Sequence, residues 1–248
     1  MAEVENSKDL ISVLWSGADI LRSKMDANEY KDYLLGIVFY KYLSDSFLIK
    51  VYDLIYDERP ENLMEALDAY REALEDESAG ELQEQLRSEF HYVIEPELTY
   101  TCFADEARNN EFQREQLQKA FNNIEQSDPL FADLFTDIDL YSNRLGTGDQ
   151  KQSDTIANLI LEIDKADLLD SDAEILGNAY EYLIGQFASE TGKKAGEFYT
   201  PQAVSKILTK IAIAGQEDKK GLSVYEIKTI GLIQRYDTHR QQNMFKTA

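Results

Sequence analysis

The feature that most constrains the fold of this chain is the spacing of its apolar residues, which recur every three or four positions over most of its 248 residues. Such spacing places them along one stripe of an α-helix. The first stripe comprises Leu10, Val13, Leu14, Gly17, Ala18, Leu21 and Met25. A second follows Asp26, a good N-cap with Glu29 three positions later, and it comprises Tyr30, Tyr33, Leu34, Ile37, Val38 and Lys41. We therefore predict a helical hairpin.

The same pattern predicts further helices up to residue 170. Pro60 suits the first turn of a third helix, because its missing N–H would lack a helical partner there anyway. Other helices are predicted at about 81–92, 110–124 and 153–165, and residues 146–149 are predicted to form a turn. We expect residues 1–170 to form a helical bundle domain that survives deletion of everything after Lys165.

Composition excludes several kinds of site. One cysteine, Cys102, allows no intrachain disulfide, and two widely separated histidines show no metal-ligand spacing, so no metal site is predicted. The net charge of -22 opposes binding to DNA phosphates, so unaided DNA binding should be weak. No signal peptide or membrane-spanning run is visible, and we expect a cytoplasmic protein with no membrane contact.

A second unit is predicted to begin at about residue 171. In the segment GEFYTP, residues 196–201, Thr200 can cap a helix over 201–214 while Pro201 occupies its first turn. The buried face of that helix would comprise Val204, Ile207, Leu208 and Ile211. A helix N-terminus also suits the carboxylate of a ligand. On the residues alone, Phe198 and Tyr199 can equally contact a cofactor or close the core.

GEFYTP, together with YKDYLLG at 30–36 and FYKYLSD at 39–45, resembles the modification (M) subunits of type I restriction-modification systems. The resemblance implies an N-terminal helical domain that contacts the specificity (S) subunit and helps close around DNA. It also implies a Rossmann-like domain that methylates adenine with S-adenosylmethionine. The matched cofactor-site residues are Glu197, Phe198, Tyr199, Thr200, Pro201 and Gln202.

The resemblance breaks off after Tyr225. The family's D-P-x-x-G-S-G loop does not follow, and N-P-P-F or N-P-P-Y is absent, because no two of the four prolines are adjacent. In the family that second motif binds the flipped adenine. The charge balance also changes near this position. Residues 222–248 hold four basic and two acidic side chains, whereas residues 1–221 hold 21 basic and 45 acidic ones. We expect a tail of other origin at 226–248.

The sequence therefore predicts a mainly α protein, with a helical bundle followed by the incomplete start, at 171–225, of a Rossmann-like α/β methyltransferase domain. It is interpreted as the truncated N-terminal portion of an adenine-specific M subunit, inactive on its own, with no catalytic residue to name. The expected partners are the S subunit and, through the assembled complex, the restriction subunit and double-stranded DNA. The alternative is a non-catalytic helical interaction module that binds the S subunit.

Overall fold

All regular structure in the described part of the chain is helical, which confirms the mainly α prediction. A computed structural model describes residues 2–76, 78–166 and 168 and the isolated positions 207, 210 and 211, with the backbone alone at 2–10 and 28. Its α-helices are α1 (Ala2–Arg22), α2 (Ala27–Tyr56), α3 (Leu63–Leu74), α4 (Ala79–Phe90), α5 (Tyr100–Arg108), α6 (Arg114–Ser127) and α7 (Asp149–Ile163). Short 3₁₀ helices span Pro96–Leu98 and Pro129–Phe131.

The predicted hairpin is confirmed in α1 and α2. The two helices pack together, and Asp26 caps α2 in a capping box in which its backbone N–H donates to Glu29 Oε2 at 3.4 Å. Helix α2 continues for 30 residues and ends at Asp57, whose φ of 55° is left-handed. Lys41 lies on the predicted buried stripe and is itself buried. That position matters below, because a buried lysine requires a partner.

Two helices begin later than predicted, and one helix was not predicted. The third helix begins at Leu63, because the Asn62 side chain caps it by accepting from the Glu65 N–H at 3.0 Å, so Pro60 lies outside it. The predicted helix at 110–124 begins only at Arg114. Helix α5 was not predicted at all, since it has only nine residues, and it begins where Thr99 caps the Cys102 N–H.

A single core joins these helices, with α2 in the middle. Helix α2 packs against α1, α3, α4 and α5, while α7 packs against α1, α5 and α6. Aromatic rings fill the centre: Tyr40 meets Phe121 edge-on at 5.6 Å between centroids, and Phe121 stacks on Phe135 at 4.0 Å. A Cβ on Gly36 would overlap Ile138 Cδ1, so a larger residue there would require the end of the Ile138 side chain to shift.

The packed unit extends past the end of α7. Ala166 is 4% exposed and Leu168 is 1% exposed, and both belong to the core. A deletion after Lys165 would therefore remove two buried side chains, so we expect it to lower the stability of the helical domain. Among the described helices, none has both the length and the apolar character needed to cross a bilayer.

Candidate functional site

The cofactor residues predicted from the sequence, 197–202, lie outside the described residues. Three nearby positions are described, and Ile207, Lys210 and Ile211 are all helical, within the helix predicted over 201–214. The predicted burial of Ile207 and Ile211 is wrong for this chain, because they are 57% and 68% exposed. Their spacing places the two on one helix face, and nothing in the described structure covers that face.

Cys102 carries no reactive chemistry. The thiol is 8% exposed, and burial, reinforced by the nearby Glu106 carboxylate, raises its pKa to about 11. Reactivity requires the thiolate, so this residue is inert near neutral pH. Among the described residues, no group of three or more acidic, histidine or cysteine side chains could hold a metal ion.

The most elaborate polar arrangement lies at the two ends of α7. At its C-terminal end, Lys41 Nζ binds Asp45 Oδ2 at 2.6 Å, with both side chains almost fully buried. The ammonium also lies 5.0 Å from the centre of the Tyr100 ring, which attracts a cation. Lys41 and Asp45 lie on α2 and Tyr100 lies on α5, so the contact between Lys41 and the Tyr100 ring joins two helices in the core.

Asp164 connects this buried pair to the protein surface. Its Oδ1 lies 3.8 Å from Lys41 Nζ, while its Oδ2 binds Arg108 Nη2, and Arg108 is about half exposed. A carboxylate at a helix C-terminus is disfavoured by the helix dipole, and the two cations offset that effect. We call Lys41, Asp45, Tyr100, Arg108 and Asp164 the C-terminal clamp.

Tyr100 connects the C-terminal clamp to the last turn of α7. Its hydroxyl donates to the Ile160 carbonyl oxygen at 2.8 Å. That carbonyl oxygen also accepts a hydrogen bond from the Asp164 backbone N–H at 2.8 Å. Burial, followed by the Asp164 and Asp45 carboxylates, holds the pKa of Tyr100 well above its usual range. The hydroxyl therefore stays protonated and keeps donating to the last turn of α7.

A second clamp holds the other end of α7. Arg114, on α6 and buried, donates from Nη2 to Asp149 Oδ1 at 2.7 Å, from Nη1 to the Asp149 carbonyl at 3.2 Å, and from Nη1 to Gln152 Oε1. Its backbone N–H donates to Ser153 Oγ at 3.3 Å, and its guanidinium lies 4.6 Å from the Tyr141 ring centre. We call Arg114, Tyr141, Asp149, Gln152 and Ser153 the N-terminal clamp.

Sequence reasoning assigned no role to either clamp. One signal was present: Lys41 stands on an otherwise apolar helix stripe with Asp45 four residues later, a spacing that brings opposite charges together on one face. No pattern identified Arg108, Arg114 or Asp164, whose ion-pair partners within the clamps lie 35 or more residues away in the chain.

Comparison with known proteins matches two successive family models. The model of the HsdM N-terminal domain matches residues 10–163, and the model of the N-6 DNA Methylase family matches residues 171–231. The second match therefore runs six residues past Tyr225.

Similar proteins extend the comparison over most of the chain. The MpnII methylase subunit of a type I restriction enzyme from Mycoplasma pneumoniae is 30% identical, over 83% of this chain and 39% of that protein. The MjaVIII methylase subunit of a type I restriction enzyme from Methanocaldococcus jannaschii is 32% identical, over 82% of this chain and 31% of that protein. The crystal structure of a type I restriction-modification methyltransferase subunit from Streptococcus thermophilus matches with a TM-score of 0.81 and 51% identity. The match covers 87% of this chain and 46% of that one. The chain spans less than half the length of each.

Proposed function

Because this chain belongs to the HsdM N-terminal domain family, as the N-terminal region of a type I restriction-modification methyltransferase subunit, we propose that residues 2–168 are the scaffold through which such a subunit holds its specificity subunit. The observation that carries this proposal is that the family match and the buried helical core end within a few residues of each other. The family match covers 10–163, and the closed helical core runs through residue 168. The matched unit thus coincides with the described helices whose apolar side chains pack against one another.

The proposed reaction belongs to the complete subunit. It would transfer a methyl group from S-adenosylmethionine to adenine in double-stranded DNA, at a sequence chosen by the specificity subunit, with the restriction subunit joining the complex. Methyltransferases of this family generally use S-adenosylmethionine, and we propose Glu197 to Gln202 as the part of its site present in this chain.

This chain alone is proposed not to transfer a methyl group. Its 248 residues contain no adjacent prolines, so the motif that binds a flipped adenine in the family is absent from them. The helical scaffold is also poorly suited to DNA. Residues 57–98, which include α3 and α4, hold 14 acidic and three basic side chains, so this face repels phosphates and is proposed to face away from DNA.

A second candidate function is a non-catalytic module that occupies a specificity subunit and blocks assembly. The closed core favours it, because residues 11–168 bury their apolar side chains against one another and form a folded unit that can present a partner surface by itself.

Co-expression with the specificity subunit of the same organism tests the scaffold proposal. We expect a stoichiometric complex by size-exclusion chromatography with light scattering, and no complex when the specificity subunit is paired with an unrelated acidic helical protein. A specificity subunit that stays uncomplexed with this chain would contradict the proposal.

Further assays separate the remaining points. Incubation of the complex with labelled S-adenosylmethionine and DNA should give no methyl transfer, and calorimetric titration of the isolated chain with S-adenosylmethionine should give no saturable heat. Transfer would contradict the proposed inactivity and leave the scaffold intact. If adding the chain to a complete complex displaces the full-length subunit, the blocking module is favoured.

A further inference from the structure

We propose that the C-terminal clamp is a junction latch, which fixes the direction in which the chain leaves the helical domain, and that Asp164 is its positioning residue. The site is the last point at which side chains of three helices meet before the second family match begins at residue 171. The inference concerns residues 2–168 and does not depend on which reaction the complete subunit performs.

The latch has two layers with different accessibility. The inner pair, Lys41 and Asp45, has side chains that are 4% and 1% exposed, and both residues lie one turn apart on α2, so the helix keeps them close together. The outer pair is accessible, with side chains 52% exposed for Arg108 and 22% for Asp164. The outer pair can therefore open while the core stays folded.

Asp164 belongs to both layers because its two oxygens face different cations. Oδ1 faces the buried Lys41, and Oδ2 faces Arg108 at the end of α5. The carboxylate is thus held on two sides, at the residue that ends α7. Rotation of the chain at this position would break both contacts together.

Residues that follow Asp164 are also held against the helical core. The Ala166 N–H donates to the Ile163 carbonyl at 3.0 Å, and the side chains of Ala166 and Leu168 are buried. Lys165, just before them, has a side chain that is 62% exposed and donates to Glu162 Oε2 at 2.5 Å. Asp164, Ala166 and Leu168 are therefore held by the core, and Leu168 lies three residues before the second match begins.

Hydrogen exchange measured by mass spectrometry on the whole 248-residue chain tests the latch. Arg108→Gln should accelerate exchange in peptides covering 160–168 by about 3- to 5-fold, which corresponds to loss of one exposed ion pair. Asp164→Asn, which weakens both layers, should accelerate it by about 10-fold or more. Peptides covering 149–155, held by the N-terminal clamp, should keep their wild-type rates.

Arg144→Gln is the matched control. Arg144 is 53% exposed and pairs with Glu29 across a long sequence separation, much as Arg108 pairs with Asp164, yet it lies in the loop before α7. Its removal should leave exchange at 160–168 unchanged. Equal acceleration by Arg144→Gln and Arg108→Gln, or acceleration spread evenly over 11–168, would overturn the proposal.

Limited trypsin digestion gives an independent readout if Asp164→Asn does not fold. Cleavage after Lys165 requires the surrounding residues to open, so Arg108→Gln should release the fragment 1–165 about 3- to 5-fold faster than wild type, with a thermal midpoint lowered by no more than about 4 °C. Unchanged release in a folded Arg108→Gln variant would also overturn the proposal.

Discussion

The two ends of α7 are held by the same kind of device in different surroundings. Each has a buried cation near a tyrosine ring, Lys41 with Tyr100 at the C-terminal end and Arg114 with Tyr141 at the N-terminal end. The anions differ: Asp45 is 1% exposed, whereas Asp149 is 87% exposed. Water can therefore replace the partner of Asp149 but has little access to Asp45, so the two clamps should respond unequally to loss of the cation.

Lys41→Met should have the largest effect of the substitutions considered. It leaves the Asp45 carboxylate buried without its cation, which costs about 3 to 5 kcal/mol in the free energy of unfolding. Urea denaturation followed by circular dichroism measures this loss. The double variant Lys41→Met/Asp45→Leu should recover most of it, because apolar side chains then replace both charges. A single variant within about 1 kcal/mol of wild type would show that the buried Asp45 carboxylate does not depend on Lys41.

Arg114→Met should cost less, about 1.5 to 3 kcal/mol, because the charge-assisted hydrogen bonds are lost while the exposed Asp149 carboxylate regains water. The same urea titration measures it. The comparison between the clamps fails if this variant proves less stable than Lys41→Met.

Tyr100→Phe removes only the hydroxyl that bonds the Ile160 carbonyl and keeps the ring beneath Lys41. At neutral pH the expected loss is about 0.5 to 1.5 kcal/mol. The folded pKa of Tyr100 is raised above 10.0, so the stability due to its protonated hydroxyl is fully present below pH 10 and is lost as pH rises toward the folded pKa.

Urea titrations of wild type and Tyr100→Phe at several pH values check that sign. The wild-type advantage should be constant below pH 10, shrink above it and then reverse, since only the wild-type unfolded chain gains from ionising Tyr100. An advantage that grows with alkaline pH would mean that the hydroxyl is not held protonated.

Asp149→Asn should have the smallest effect, about 0.3 to 1 kcal/mol. It removes a favourable carboxylate from the first turn of α7 and an ion pair whose carboxylate is exposed, while Arg114 keeps its bonds to the Asp149 carbonyl and Gln152. The thermal midpoint in low and high salt measures the loss, which should diminish in high salt because the Asp149 carboxylate is open to solvent ions. A salt-independent loss would show that Asp149 acts through packing.

The sequence by itself determined the helices and their buried faces. Apolar spacing identified the α1–α2 hairpin and the buried stripe of α7, where Ile156, Leu159, Ile160 and Ile163 are fully buried, and Asp26 with Glu29 marked a real helix start. These features depend on residues within one or two turns of each other, so a local pattern is sufficient to reveal them. The family resemblance, carried by GEFYTP and FYKYLSD, was confirmed for the same reason: it rests on contiguous residues.

Only the tertiary structure decided what the charged residues do. Lys41 lies 123 residues from Asp164 in the chain and 3.8 Å from it in space, and Arg114 reaches the start of α7 across 35 residues. Burial raises the energetic importance of such pairs, since a charge removed from water depends on its neighbours, yet burial is a property of the packed helices together. Helix periodicity thus shows which face is buried, but which charges meet at the ends of α7 follows only from the packing.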